Sequence, residues 1–136
     1  MTGLWVVGAA VVLALVFGLY RRLTDGRARA VAATQRLTTA DLGTGLGGRA
    51  TLVQFSTTVC APCHATRAVL GAVAAGSDGV VHVDVDAEAR LERVERLDIT
   101  RTPTVLVLDG DGVVRHRIVG APRRADVVGA LEELAA

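Results

Sequence analysis

The chain has 136 residues, 51% of them hydrophobic, and its 15 basic and 14 acidic side chains leave a net charge of +1. That is room for one cored domain of roughly 100 residues plus an appendage, which excludes a large multidomain enzyme, and so small a net charge provides no field to draw in nucleic acid or an acidic substrate. Of the four aromatic residues, Trp5, Phe17 and Tyr20 lie in the first twenty positions and only Phe55 lies beyond them, so a base-stacking platform for nucleic acid is excluded as well.

Residues 1–20 contain no charged side chain. At about 1.5 Å per residue they reach across the roughly 30 Å hydrocarbon core of a bilayer, and a transmembrane anchor is predicted there. Trp5 and Tyr20 stand near its ends, at headgroup level, and Arg21 and Arg22 follow at once. A cleaved signal peptide would carry its positive charge before the apolar run, and the one cleavage-like stretch, Ala30-Val31-Ala32, lies ten residues past it. A buried core helix is rarely apolar all round over such a length. Ala10, Ala14 and Gly18 form a line of small residues of the kind that pairs helices. Beyond the helix, Arg21, Arg22, Arg27, Arg29 and Arg36 against Asp25 and Asp41 leave a net of +3, with nothing basic before it. The positive-inside rule then predicts a single-pass protein with its domain in the cytoplasm.

Residues 21–48 read as a flexible tether, without apolar periodicity and with Gly43, Gly45, Gly47 and Gly48 before the next ordered segment; 37–42 could dock as a short element. From 49 onward the apolar period alternates between strand and helix. A β-type run over 51–56 precedes a helix over 60–75 with Ala65, Ala68, Val69, Ala72 and Val73 on its apolar side. A strand over 80–85 leads, through Asp84 and Asp86 as caps, to a helix over 88–97 with Leu91, Val94 and Leu97 on one face. The all-apolar run 105–108 is a buried strand. Asp109-Gly110-Asp111-Gly112 turns the chain into a partner strand over 113–119, because Asp-Gly pairs accept the positive φ of tight hairpins. A helix over 123–135 closes the chain. The order β-α-β-α-β-β-α predicts an α/β domain over 49–136, a four-stranded mixed sheet with flanking helices.

The chemistry concentrates in Cys60-Ala61-Pro62-Cys63. Two cysteines three positions apart cannot staple distant segments; they close a small ring or bind something. At a helix N-terminus Cys60 would have its thiolate stabilised by free backbone N–H groups and the helix dipole, making it nucleophilic near neutral pH. Cys63, one turn on, would be placed to attack a mixed disulfide at Cys60 and release a reduced substrate. Pro62 suits an early helical position, where its missing N–H costs nothing.

The run Val-Gln-Phe-Ser-Thr-Thr-Val-Cys-Ala-Pro-Cys-His, followed by Thr102-Pro103-Thr104-Val105 and Ile118-Val119-Gly120-Ala121, resembles the thioredoxin family across residues 49–136. The resemblance implies a thioredoxin fold, a cis-proline at Pro103 beside the dithiol, and a Thr102 main chain that pairs with an extended substrate strand. It further implies a protein-disulfide reductase with no cofactor, acting on disulfide-containing proteins and recharged by a reductase or low-molecular-weight thiol that the sequence does not identify. A membrane-tethered relative of this kind can also face outward, as a thiol oxidase or a cytochrome-maturation reductase; an adaptor that binds clients without redox chemistry is the alternative of another class.

Four positions depart from the family's pattern. Val59 stands for the usual Trp, Ala61 for Gly, Gln54 for the buried Asp and His82 for the Lys that often pairs with it. Gln54 cannot take a proton from Cys63, whereas a neutral His82 could, and His82 is the candidate relay. His64 as imidazolium would add to thiolate stabilisation. Cys60-Ala-Pro-Cys63-His64 also spells a haem attachment pattern, but the only Met is Met1, and zinc would need two further ligands from scattered histidines, so no metal is expected. His116 reads as an exposed strand residue, Glu132 and Glu133 as surface, and Arg90, Glu92, Arg93, Glu95 and Arg96 as a solvated helix face.

Overall fold

The strand Ala50–Ser56 (β2) is buried along its whole length, between a parallel neighbour, Val80–Asp86 (β3), and an antiparallel one, Thr104–Asp109 (β4). Being covered on both faces it cannot alternate apolar with polar. Its three polar side chains are instead each satisfied: Thr51 Oγ1 accepts from the Gly47 N–H at 2.9 Å, Gln54 bonds two partners described below, and Ser56 Oγ donates to Asp84 at 2.5 Å. In this computed structural model, which describes residues 1–135, Val114–Val119 (β5) pairs antiparallel with β4.

A fifth strand, Ala28–Ala30 (β1), adds antiparallel to the outer edge of β5, giving the order β1-β5-β4-β2-β3. The sheet therefore has five strands where four were predicted. Three residues of Ala-Arg-Ala carry too little pattern to announce a strand; main-chain pairing with β5 makes it one.

The sheet's two faces are covered differently. On one, Ala61–Ala75 (α3) and Arg124–Ala135 (α5) pack Leu70, Val73, Val127 and Leu131 against Leu52, Val105, Val107 and Ile118. On the other, Val53, Phe55, Leu106 and Leu108 are covered by Leu37, by Leu97 and Ile99 around Leu91–Arg96 (α4), and by Val31, Leu42 and Leu46. Each large apolar side chain buried in this way stabilises the fold by about 1.5–3 kcal/mol.

The segment expected as a flexible tether thus lies on the domain. Leu37 is 0% exposed, its N–H bonds Gly112 O at 2.9 Å, and Arg36 bridges to Val113. Thr38 and Asp41 form a reciprocal capping box at the start of Thr39–Leu42 (α2). The α4 arginines are not a purely solvated face either: Arg96 and Arg93 pair with Asp41 at 3.0 and 3.8 Å. Helix α4 is shorter than predicted because the Asp86 carboxylate accepts from Glu88 N and Ala89 N, turning the chain before a helix can start. The predicted hairpin turn is present, with Gly112 at φ +84° and Asp109 accepting from Asp111 N and Val113 N.

The N-terminal helix Thr2–Thr24 (α1) runs four residues past the predicted span and is exposed almost throughout, with no buried residue. It is long and apolar enough to cross a membrane. Between its end and β1 lie only Asp25, Gly26 and Arg27.

Candidate active site

Cys60 is the N-cap of α3, with extended backbone at φ −153° and ψ 94°, and Ala61 begins the helix. The helix forms here because Pro62, its second residue, lacks an N–H that would find no partner there, and because the Ala-rich run after it carries high helix propensity. Thr66 Oγ1 donates to Pro62 O at 2.8 Å and tightens the first turn. The two cysteines form a disulfide with Cα atoms 5.2 Å apart. Cys60 is half-buried and Cys63 only 1% exposed, so an incoming group meets Cys60 first. Val59, at 93% exposure, leaves the approach to Cys60 open where a larger ring was the family's usual residue.

Beneath Cys63 the central strand supplies Gln54, which is 0% exposed. Its Nε2 donates to Cys63 O at 2.9 Å, which turns its Oε1 toward His82 Nε2 on β3, 3.1 Å away. Because Oε1 can only accept, the imidazole must donate from Nε2, leaving the lone pair on Nδ1. This arrangement gives His82 a structural contact besides the expected relay. Gln54 joins the imidazole to the main chain of Cys63, and the pair holds the first turn of α3 against the sheet. Burial pushes the His82 pKa below its usual value, with nearby Arg67 adding to the shift and Asp84 opposing it.

His64 is exposed and its Nδ1 lies 3.2 Å from Arg67 Nη1. A guanidinium only donates, so Nδ1 is the acceptor in this contact. Arg67 reaches on to Asp84 with Nε at 2.7 Å and Nη2 at 2.6 Å, while Ser56 donates to the other carboxylate oxygen. This Ser56–Asp84–Arg67–His64 chain was missed from sequence, where Asp84 passed for a helix cap. The signal lay in its strand position, two residues after His82 on the exposed side of an edge strand.

The Thr102–Pro103 peptide is cis, at the start of β4. Pro103 O accepts from Gly120 N at 2.9 Å, and Thr102 Oγ1 lies 3.5 Å from Thr57 Oγ1 on the loop that carries Cys60. Pro62 and Pro103 share a cleft of about 560 Å³ whose opposite wall includes Phe17, Gly18, Arg21 and Arg22 of α1. Arg101, the residue before Thr102, donates from Nη1 and Nη2 to the two oxygens of Asp25, each at 3.2 Å. That ion pair was also missed, since nothing in the sequence joins positions 25 and 101.

His116 is corrected from exposed to buried, at 5% exposure; it shares a sheet face with Ile118, under α5, where Glu133 Oε2 lies 2.6 Å from its Nε2. Among the described residues no group of three His, Cys, Asp or Glu side chains is arranged to hold a metal ion.

The family model described as Thioredoxin matches residues 41–133. No curated protein matches the sequence closely enough to be called a relative. Among solved structures, the short form of thioredoxin f from spinach chloroplast superposes with a TM-score of 0.57 at 21% identity, covering 66% of this chain and 80% of its own. The reduced Schistosoma mansoni thioredoxin gives 0.56 at 22%, covering 65% and 81%. Mitochondrial thioredoxin 3 from Saccharomyces cerevisiae, in its oxidised form, gives 0.56 at 20%, covering 63% and 79%. At these identities the likeness is one of fold.

Proposed function

The chain belongs to the thioredoxin family, and on that footing we propose that it is a membrane-anchored protein-disulfide reductase working through Cys60 and Cys63. The observation that carries the reading is the asymmetry of the pair: an accessible cysteine capping a helix, joined to a buried one a turn further on, with Pro62 between them lining a cleft shared with Pro103.

In the reduced form the positive end of the α3 dipole favours the Cys60 thiolate. That thiolate attacks a client disulfide; the client S–S bond breaks, one client sulfur leaves as a thiolate and takes up a proton, and the other stays bonded to Cys60. Cys63 then gives up its proton and attacks Cys60 Sγ, releasing the client as a dithiol and leaving the Cys60–Cys63 disulfide seen here. Two electrons pass to the client, and a thiol donor, either a partner reductase or a small thiol, restores the dithiol. An extended client strand lies along Thr102, in the groove closed by Pro103. Residues 1–20 hold the enzyme in the membrane, and the arginines beyond them support a cytoplasmic domain.

The test uses the full-length protein in detergent with dithiothreitol as donor and a soluble disulfide protein as client. The wild type is expected to reduce it catalytically, Cys60→Ser not at all, and Cys63→Ala is expected to stop at a mixed disulfide. Equilibration with a glutathione couple fixes direction: a potential near those of reducing thioredoxins supports the reductase, and one near about −120 mV would make the protein an oxidase.

A further inference from the structure

The anchor does not end in a flexible leash. Helix α1 continues unbroken to Thr24, and after three intervening residues the chain is paired in the sheet as β1. Each of the first two intervening residues is fixed. Asp25 takes both Arg101 nitrogens at 3.2 Å and faces Arg21 at 3.8 Å. Gly26 donates to Val119 O at 2.8 Å, sits at φ +77°, and comes so close to the chain at Ala121 that a Cβ would stand 2.1 Å from its carbonyl oxygen. The anchor is thereby set against the two loops that frame the groove, Arg101–Thr102–Pro103 and Gly120–Ala121.

Tyr20 marks headgroup level on the α1 sequence, and at 1.5 Å per residue Phe17 lies about 4.5 Å deeper. Phe17 and Gly18 nevertheless line the same cleft as Pro62 and Pro103. One wall of the groove thus belongs to the membrane-embedded part of the anchor and the other to the redox loops, while Arg21, Arg22 and Arg101 around the single carboxylate of Asp25 leave the rim net cationic at the level of the lipid phosphates. A client strand lying along Thr102 would run beside the bilayer surface.

Building on the proposed reductase and its anchor, we infer that the groove is held at the membrane surface and takes disulfides in the juxtamembrane segments of integral membrane proteins. Exchange follows the steps given above, with the client cysteines supplied from within a few residues of a transmembrane helix. A folded soluble client would have to bring its disulfide into the gap between domain and bilayer, whereas a juxtamembrane segment is already there.

The test is single-turnover reduction by the pre-reduced full chain in phosphatidylcholine vesicles containing anionic lipid. Three disulfide peptides serve as probes: one whose disulfide directly follows a transmembrane helix, one on the same helix with the disulfide on a long Gly-Ser spacer, and one free in solution. The near probe is expected to react roughly tenfold faster than the spaced one. Inserting about 20 Gly and Ser residues between Thr24 and Asp25, enough for a mean reach of about 25 Å, keeps the enzyme anchored and is expected to abolish that preference. Arg101→Gln should lower the preference by about threefold, the worth of one exposed ion pair. Equal rates for near and spaced probes, with the soluble probe reduced normally, would overturn the inference and leave the reductase standing. A preference that survives the insertion would overturn it too, since sharing a membrane would then suffice. No reduction of any probe would remove the reductase reading and this inference together.

Discussion

The dithiol has two walls of opposite character. The inner wall beneath Cys63 is polar: Gln54, fully buried, bonds both the Cys63 carbonyl and the half-buried His82. The outer wall, from Pro103 and Arg101 to α1, is open and apolar with a charged rim, and is fixed to the domain mainly by main-chain geometry at Gly26. On the proposed mechanism the inner wall would hold the resolving cysteine still, and the outer wall would decide what reaches the attacking one. Substitutions on the two sides should therefore separate, inner ones changing stability and pH response, outer ones changing client choice.

The cysteines lie between the walls and set the scale. Cys60→Ser is expected to cut disulfide reduction by at least about a thousandfold, since a hydroxyl is not ionised at neutral pH; insulin turbidity measures it. Next, Gln54→Ala strips Cys63 O and His82 of their partner in a buried site and should lower unfolding free energy by about 2–3 kcal/mol; urea denaturation of the reduced and oxidised forms reads this, and an unchanged midpoint would dissolve the inner wall. Gly26→Ala puts a Cβ against Ala121 O at a positive φ and should cost about 1–3 kcal/mol, seen as faster proteolysis around residues 25–27 with soluble-client reduction retained.

The smallest effect is a pH dependence. His82 has its pKa held below the ordinary 6.5, so near and just below that pH the unfolded chain binds a proton that the folded chain does not. Stability from this group is full above about 6.5 and is lost as pH falls through the lower folded value. His82→Gln should flatten that part of a stability-against-pH curve measured from pH 5 to 8; a slope unchanged by the substitution would mean that the imidazole charges freely where it is.

How much of this was legible in the sequence follows the same division. Strands and helices from 49 onward announce themselves because each buries a face, and period follows burial: the all-apolar run at 105–108 could only be a covered strand. The redox pair was visible because two cysteines at that spacing have few other uses. What escaped depends on contacts that leave no period. Docking of 37–42 was expected, and Leu37 is indeed buried, but β1 is three residues on a sheet edge within the stretch read as tether. His116 was misjudged because its type suggests solvent, although it shares a face with Ile118, which follows two residues later. Asp25 and Arg101 stand 76 positions apart in the chain, and with them goes the orientation of the groove.

The most direct measurement is capture at Cys60. Full-length Cys63→Ala, expressed in cells and quenched with acid and alkylating reagent, is expected to carry client proteins as mixed disulfides that dithiothreitol releases and that vanish when Cys60→Ser is added. Failure to capture any client, or capture that persists without Cys60, would contradict the account of Cys60 as the attacking thiol.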